Sequence, residues 1–190
     1  MDLTTLHRRT VEAWQQRLDA VGPEQWGCPT PCTESDVRAL VNHVVGEERW
    51  TQPLLRGMTI AEVGDRFDGD LLGDDPQRVC RDASAEAAAA VDELLAGGGQ
   101  VHLSYGDEDA GEYVCQLSAD HLIHGWDLAV ATGQDATLDP DLVAELASWF
   151  AEREELYRSA GVTGPRVAGG GDPQSDLLAA FGRSPDWVAG

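Results

Sequence analysis

The chain has 190 residues and a formal charge of −21, from 34 acidic side chains against 13 basic ones. Nucleic acids and anionic membrane surfaces are poor partners for such a chain, because both are bound by neutralising phosphate with Lys and Arg. The length favours one domain over two. No stretch approaches the roughly 18 apolar residues of a membrane span, and no basic region followed by an apolar one opens the sequence. We therefore expect a cytoplasmic protein with no nucleic-acid or membrane partner.

Four cysteines are too few and too scattered for a disulfide scaffold, so we expect reduced thiols at Cys28, Cys32, Cys80 and Cys115. Cys28 and Cys32 are close in sequence, but three residues separate them and two of these are prolines. This spacing in a predicted loop is only weak support for a zinc site or a redox pair.

Apolar residues recurring at three- and four-residue steps predict helices along most of the chain. The first covers residues 3–20 and ends before Gly22-Pro23. The second begins in the capping sequence 33–36 and ends before Pro53. A Gly- and Asp-rich crossover follows, with one short helix near residues 59–67.

The second half of the chain continues the helical pattern. The third helix is predicted over residues 76–96, the fourth over 112–132 and the fifth over 140–160, with a short extended piece at 100–105. A short amphipathic piece follows at 176–181. The pattern predicts an all-α four-helix bundle with a long crossover connection and additional C-terminal helical segments. We expect residues 1–160 to form the bundle and 161–190 to pack on it as a C-terminal extension.

The fourth predicted helix carries a carboxylate and an imidazole where core residues are expected. At 100° per residue, one stripe of this helix contains Tyr113, Leu117, Asp120, His124, Leu128 and Ala131. Asp120 and His124 can lie in an apolar interior only if something satisfies them. A divalent cation is the most economical partner for an Asp/His pair at i,i+4, although an Arg for Asp120 and a backbone carbonyl for His124 are alternatives.

A third metal donor is available on the second predicted helix. His43 lies at the margin of its apolar stripe, with Glu47 one turn further on. If this margin meets the fourth helix, His43, Asp120 and His124 form a three-ligand site with open coordination positions, as in catalytic zinc sites. Glu47 is then a fourth ligand, a general base beside a metal-bound water, or a solvated helix residue.

Two segments resemble the signatures of a known family. One is D-V-R-A-L-V-N-H-V-V-G at residues 36–46, preceded by P-T-P-C, and the other is H-G-W-D-L-A at 124–129, followed by Thr132-Gly133. They are similar to the metal-binding domain of mycothiol-dependent maleylpyruvate isomerase, within the DinB-like superfamily. The ending L-L-A-A-F-G-R-S-P-D-W at 177–187 is similar to that of single-domain, actinobacterial-type members.

This resemblance implies a DinB-like bundle that binds one divalent metal, usually zinc. Carried over by position, the ligands are His43, Asp120 and His124. The isomerase has Glu at the position of Asp120, and other superfamily members have His there. The isomerase also has a further C-terminal domain that helps to form its active site, whereas about thirty residues follow the fifth predicted helix here. The resemblance therefore does not carry over the isomerase reaction itself.

Two functions follow from the resemblance. The first is a metal-dependent transferase or isomerase that uses mycothiol or a similar low-molecular-weight thiol, with Glu47 as the candidate catalytic residue and Arg49 or Arg183 as an anchor for the anionic cofactor. The second is a non-catalytic or stress-related module with a structural metal. A metal-free bundle, in which His43 and His124 are merely satisfied polar groups, is the third interpretation.

Three further residues have open roles in the sequence. His121 points about 100° away from Asp120 on a helix, so we expect it either close behind the ligands or at the surface. Arg183 and Trp187 are expected to fold over the mouth of the bundle or to pack against a partner subunit in a homodimer.

Overall fold

Seven α-helices and one β-hairpin form the part of the chain that the computed structural model describes, residues 1–32 and 35–188. The elements are α1 Leu3–Asp19, α2 Val37–Leu55, α3 Ile60–Val63, α4 Pro76–Gly97, β1 Gln100–Leu103, β2 Gly106–Asp109, α5 Ala110–Thr132, α6 Pro140–Ser159 and α7 Pro173–Ala180. The predicted all-α class and the long crossover between the second and third long helices are confirmed. None of the helices in these ranges has both the length and the apolar character of a membrane span.

The long helix α5 is the centre of the bundle. Helices α1, α2, α4 and α6 all contact it, and 19 of its 23 residues are buried. The sequence predicted a single apolar stripe on this helix. Because four helices surround α5, it is buried around most of its circumference rather than along one stripe. Its polar residues therefore need partners inside the protein.

Helix α2 begins where the capping side chains predicted it. Asp36 is the N-cap, and its carboxylate accepts a hydrogen bond of 2.8 Å from the backbone N–H of Ala39. Thr33 and Glu34, the other part of the predicted capping sequence, lie outside the described residues. This start fixes the register of the helix and hence the position of His43.

The predicted end of α2 before Pro53 is wrong, because the helix continues through the proline to Leu55. In the last turn of a helix a proline removes one backbone hydrogen bond. Leu54 and Leu55 are buried in a cluster with Tyr113 and Leu117 of α5. This burial offsets the loss and holds the last turn of α2 against the core.

The predicted extended piece is one strand of a hairpin. Strand β1 pairs antiparallel with β2, from Gln100 opposite Asp109 to Leu103 opposite Gly106. Strand β2 was not predicted, because its residues, Gly-Asp-Glu-Asp, have low strand propensity. The hairpin turns tightly from β1 into β2, and Asp109 then caps α5 through the N–H of Gly111 at 2.7 Å.

The C-terminal segment packs on the bundle through α7. Leu177 and Leu178 are buried with residues of α5 and α6, and Trp187 packs partly buried against the same cluster. Helix α7 is longer than the predicted piece, since it begins after the cap Asp172. The packing of α7 brings the following residue Arg183 back to α5.

A buried polar network joins α1, α2, α4 and α5. His121 is 2% exposed, and its Nε2 lies 3.0 Å from Glu48 Oε1, which also accepts a hydrogen bond from the Ser84 hydroxyl. The ring of His7 meets that of His121 edge to face, with centroids 5.7 Å apart. His121 is therefore a core residue, and the expectation that it lies at the surface or behind the ligands is wrong.

The burial of His7 makes stability depend on pH. Burial, reinforced by the charge of His121, lowers the pKa of His7 to about 3, below the value near 6.5 of an unfolded histidine. Between pH 3 and pH 6.5 the unfolded state therefore binds more protons than the folded state. The contribution of His7 to the free energy of unfolding is fully present above pH 6.5 and is lost as the pH falls toward 3. From pH 7 to pH 5 the wild type loses about 2 kcal/mol of unfolding free energy through this group.

We expect the variant His7→Leu to lose about 2 kcal/mol less than the wild type between pH 7 and pH 5. Urea denaturation at the two pH values measures the difference. The control His102→Gln, on the exposed hairpin, should keep the wild-type dependence. Equal pH dependence in the wild type and His7→Leu would show that His7 does not titrate as a buried neutral group.

Candidate metal centre

Helices α2 and α5 bring together three side chains of types that can bind a metal ion. Asp120 and His124 lie one turn apart on α5, and His43 faces them from α2. Asp120 Oδ1 lies 3.1 Å from His124 Nε2 and 3.7 Å from His43 Nε2. One donor atom from each residue lies within 4.8 Å of the other two, and the two imidazole rings meet edge to face at 5.0 Å. We call these three residues the donor cluster.

The spacing of the donor cluster is compatible with zinc. Zinc binds imidazole nitrogen and carboxylate oxygen at about 2.0–2.2 Å, so neighbouring donors in a tetrahedral site are roughly 3.3 Å apart. The distances from Asp120 to His124 and His43, 3.1 and 3.7 Å, lie on either side of this value. Two imidazoles and one carboxylate are also a donor set that zinc accepts. The residues therefore fit a divalent cation.

The buried Asp127 orients His124. Its Oδ2 lies 2.9 Å from His124 Nδ1, and its side chain is fully buried. When the carboxylate accepts the Nδ1 proton, Nε2 can direct its lone pair toward the donor cluster. Metal-binding histidines commonly have this support from a carboxylate. Asp127 was not among the predicted site residues, although its i,i+3 spacing from His124 within H-G-W-D was the available signal.

Arg183 completes the surroundings of Asp127. Its Nη2 and Nε lie 2.9 and 3.2 Å from Asp127 Oδ2, and its Nη1 donates to the Phe181 carbonyl at 2.9 Å. Burial alone would raise the pKa of Asp127, but the hydrogen bond to His124 and the charge of Arg183 lower it below its ordinary value. The structure thus places Arg183 over the bundle, with its charge already balanced.

Cys32 belongs to a second group of potential metal donors, with His124 and Asp127. Arg183 Nη2 lies 2.9 Å from Cys32 Sγ and 2.9 Å from Asp127 Oδ2. The guanidinium therefore occupies the position in which this group would hold a cation, and a metal ion there would meet its repulsion. Cys28 packs against the core and is in neither group, so the described residues give no support to a Cys28/Cys32 metal site.

The donor cluster is strongly polarised. Burial favours the neutral forms of Asp120 and His124, but their attraction outweighs it, so the pKa of Asp120 lies well below and that of His124 well above the usual values. A hydrogen bond to Asp120 also raises the pKa of His43. A carboxylate thus stays ionised between two imidazoles that favour their protonated forms, so a cation bound here would displace those protons and take their place beside Asp120.

A pocket of about 380 Å³ opens from the donor cluster, within the size range of small-molecule sites. Glu47 lines it but is not in the donor cluster. Burial, followed by the charge of Asp120, raises the pKa of Glu47. The rest of the lining comes from α5, α6 and the C-terminal segment: Tyr113, Gln116, Leu117, Ala119, Ile123, Trp149, Tyr157, Val162, Thr163, Gly164, Phe181 and Arg183.

The expected cationic anchors are not available in this pocket. Arg49 pairs with Glu86 of α4 and does not line the pocket, because it points from α2 toward a different neighbouring helix. Arg183 does line the pocket, but its guanidinium is bound to Asp127. Trp50 also lies outside the lining and packs against Phe67.

Comparisons with known proteins agree with this fold. A family model described as the mycothiol maleylpyruvate isomerase N-terminal domain matches residues 7–129. Two uncharacterized proteins of Mycobacterium tuberculosis, from strains CDC 1551 / Oshkosh and H37Rv, are each 31% identical over 184 residues, or 93% of this chain and 87% of the relative.

Two crystal structures of the mycothiol-dependent maleylpyruvate isomerase have a similar fold. The TM-scores are 0.59 for the enzyme and 0.61 for a histidine-to-alanine mutant, with 17% and 16% identity. Each match covers 76% of this chain and 67% of the isomerase chain. At this identity the structures show the fold alone. From the family match and the two mycobacterial relatives, the chain belongs to the mycothiol maleylpyruvate isomerase N-terminal domain family.

Proposed function

We propose that this protein is a metal-dependent enzyme of thiol-cofactor chemistry, a transferase or isomerase that acts on a small molecule. Its metal is a divalent ion, zinc by preference, held by His43, Asp120 and His124. Its cofactor is mycothiol or a similar low-molecular-weight thiol, as family membership suggests. The observation that carries the proposal is the donor cluster at the pocket, with His124 oriented by the buried Asp127.

A divalent ion with an open coordination position binds a thiol sulfur and lowers its pKa, which makes a thiolate available near neutral pH. The residues of the chain contribute the rest. Asp127 and Arg183 keep His124 in one orientation. Glu47, whose pKa is raised by burial, is the candidate to accept the thiol proton.

The position of Glu47 favours an enzyme over a module with a structural metal. A structural zinc site is closed by four protein ligands, whereas catalytic zinc keeps three and an open position. Glu47 is the acidic residue of the pocket lining that lies outside the donor cluster. We therefore assign Glu47 to proton transfer rather than to holding the metal.

The ligand assignment is tested by metal analysis. We expect about one divalent ion per chain in the wild type after reconstitution with zinc, and loss of this ion in both His43→Ala and His124→Ala. Elemental analysis of proteins purified identically measures the content, with His102→Ala on the exposed hairpin as the matched control. Full metal content in both ligand variants, or a wild type that takes up no zinc, would refute the assignment.

The role of Asp127 is tested by metal affinity. In Asp127→Asn the amide cannot accept the Nδ1 proton as a carboxylate does, so we expect zinc to bind about 10- to 100-fold more weakly. Competition with a chromophoric chelator measures the affinity, and circular dichroism confirms that the helices persist. Asp135→Asn, at an exposed position after α5, is the control. An unchanged zinc affinity in Asp127→Asn would mean that His124 needs no support from this carboxylate.

Glu47→Gln separates the enzyme from the structural-metal module. If Glu47 transfers a proton, we expect the variant to bind zinc within about threefold of the wild type and to form the bound thiolate only at higher pH. Titration of the cobalt-substituted proteins with mycothiol, followed through the thiolate-to-cobalt charge-transfer band, measures the second effect. Loss of metal affinity by tenfold or more would instead identify Glu47 as the fourth ligand.

A further inference from the structure

Three aromatic side chains form one wall of the pocket beside the donor cluster. These residues, the aromatic wall, are Trp149 and Tyr157 of α6 and Phe181 after α7. The rings of Trp149 and Tyr157 lie 5.8 Å apart, so they form one continuous surface. Its chemistry determines what can bind next to the cofactor.

The polar atoms of this wall are engaged elsewhere. Trp149 Nε1 donates to Glu112 Oε2 at 3.0 Å, and the Tyr157 hydroxyl donates to Glu112 Oε1. Glu112 is buried, pairs with Arg153 at 3.2 Å and does not line the pocket. Glu112 thus fixes both rings from behind, and what the rings present to the pocket is their apolar surface.

Phe181 is fixed in a similar way. Its ring stacks on that of Phe150, with centroids 4.1 Å apart and an interplanar angle of 28°. Phe150 is 1% exposed, so the stack is anchored in the core. A wall whose three rings are held in place loses little entropy when a ligand binds on it.

The described lining of the pocket provides no unpaired cation for an acidic ligand. Its charged side chains outside the donor cluster are Glu47 and Arg183. Arg183 is bound to Asp127 through both Nε and Nη2. The imidazoles of His43 and His124 also line the pocket, but both are already paired with Asp120. A carboxylate placed on the aromatic wall would therefore be desolvated without a free partner and would face Glu47 and Asp120, which is unfavourable.

We propose that the second substrate of this pocket is a neutral, apolar molecule about the size of one ring, and that the aromatic wall rejects dicarboxylates. The proposal rests on the proposed function, since the thiol cofactor is placed at the donor-cluster end of the same pocket. The size is adequate, because a dry cavity of about 150 Å³ holds a benzene molecule and this pocket has about 380 Å³. The remaining volume accommodates the reactive end of the thiol.

The test compares the binding of benzamide, which is neutral, with that of phthalate, a dianion of similar size. Isothermal titration of the full chain is carried out in metal-stripped and zinc-loaded forms. In the stripped form, where a carboxylate cannot bind to zinc, we expect benzamide to bind at least about tenfold more tightly than phthalate. Equal or tighter binding of phthalate to the stripped protein would overturn the proposal.

Two pairs of variants locate the effect. Trp149→Leu should weaken benzamide binding at least about fivefold, whereas Trp50→Leu, outside the pocket lining, should not.

Val162 lines the pocket and is 47% exposed, so Val162→Lys can add a cation without disturbing the core. We expect it to tighten phthalate binding at least about fivefold, and Val188→Lys, at an exposed position, to leave it unchanged. No change in Trp149→Leu or in Val162→Lys would show that the wall does not select the ligand.

The failure of this proposal is distinguishable from failure of the proposed function. Selectivity is read on the metal-stripped protein, whereas the metal assignment is read by zinc content and affinity. If the protein takes up no zinc but prefers benzamide, and Trp149→Leu removes this preference, the metal assignment fails and the proposal about the aromatic wall stands. If the protein binds zinc at His43 and His124 but prefers phthalate in its stripped form, the metal assignment stands and the proposal about the wall fails.

Discussion

The fully buried carboxylate of Asp127 is the constraint on which the candidate site depends. A buried charge without partners is strongly destabilising, and here the partners come from two distant parts of the chain, His124 on α5 and Arg183 after α7. Satisfying Asp127 therefore orients the imidazole of the donor cluster and also holds the C-terminal segment against the bundle. Burial of Leu177 and Leu178 provides the apolar part of the same attachment, so the segment is part of the site's architecture.

The same requirement explains how α5 can be buried nearly all round and still be polar. Its ionisable residues are divided between separate sets of partners. Asp120, His124 and Asp127 interact with one another, with His43 and with Arg183, whereas His121 pairs with Glu48 in the core. Each set finds partners within the protein, so the helix can lie at the centre of the bundle without an isolated buried charge.

The sequence could predict what depends on local spacing. The Asp120/His124 pair and the place of His43 at the margin of α2 follow from helical periodicity, and the structure brings these three residues together. The start of α2 follows from its capping side chain Asp36. What depends on tertiary packing could not be predicted. Helix α2 extends to Leu55 because its last turn is buried against α5. Strand β2 forms because it pairs with β1. Glu112 has a role only because α6 brings two aromatic rings to it. Arg183 was a candidate anchor because no local pattern could show that Asp127 would neutralise it.

The neutralisation of Arg183 has a consequence for cofactor binding under the proposed function. If this cation were free, an anionic thiol could bind to the pocket without a metal. Because it is committed to Asp127 and the imidazoles of the donor cluster are paired with Asp120, the positive charge available to a thiolate would come from an ion held by the donor cluster. Metal and thiolate binding are then coupled, and linkage requires that each increase the affinity of the other by the same factor. In a protein with a formal charge of −21, this coupling would restrict thiolate binding to the metal-loaded form.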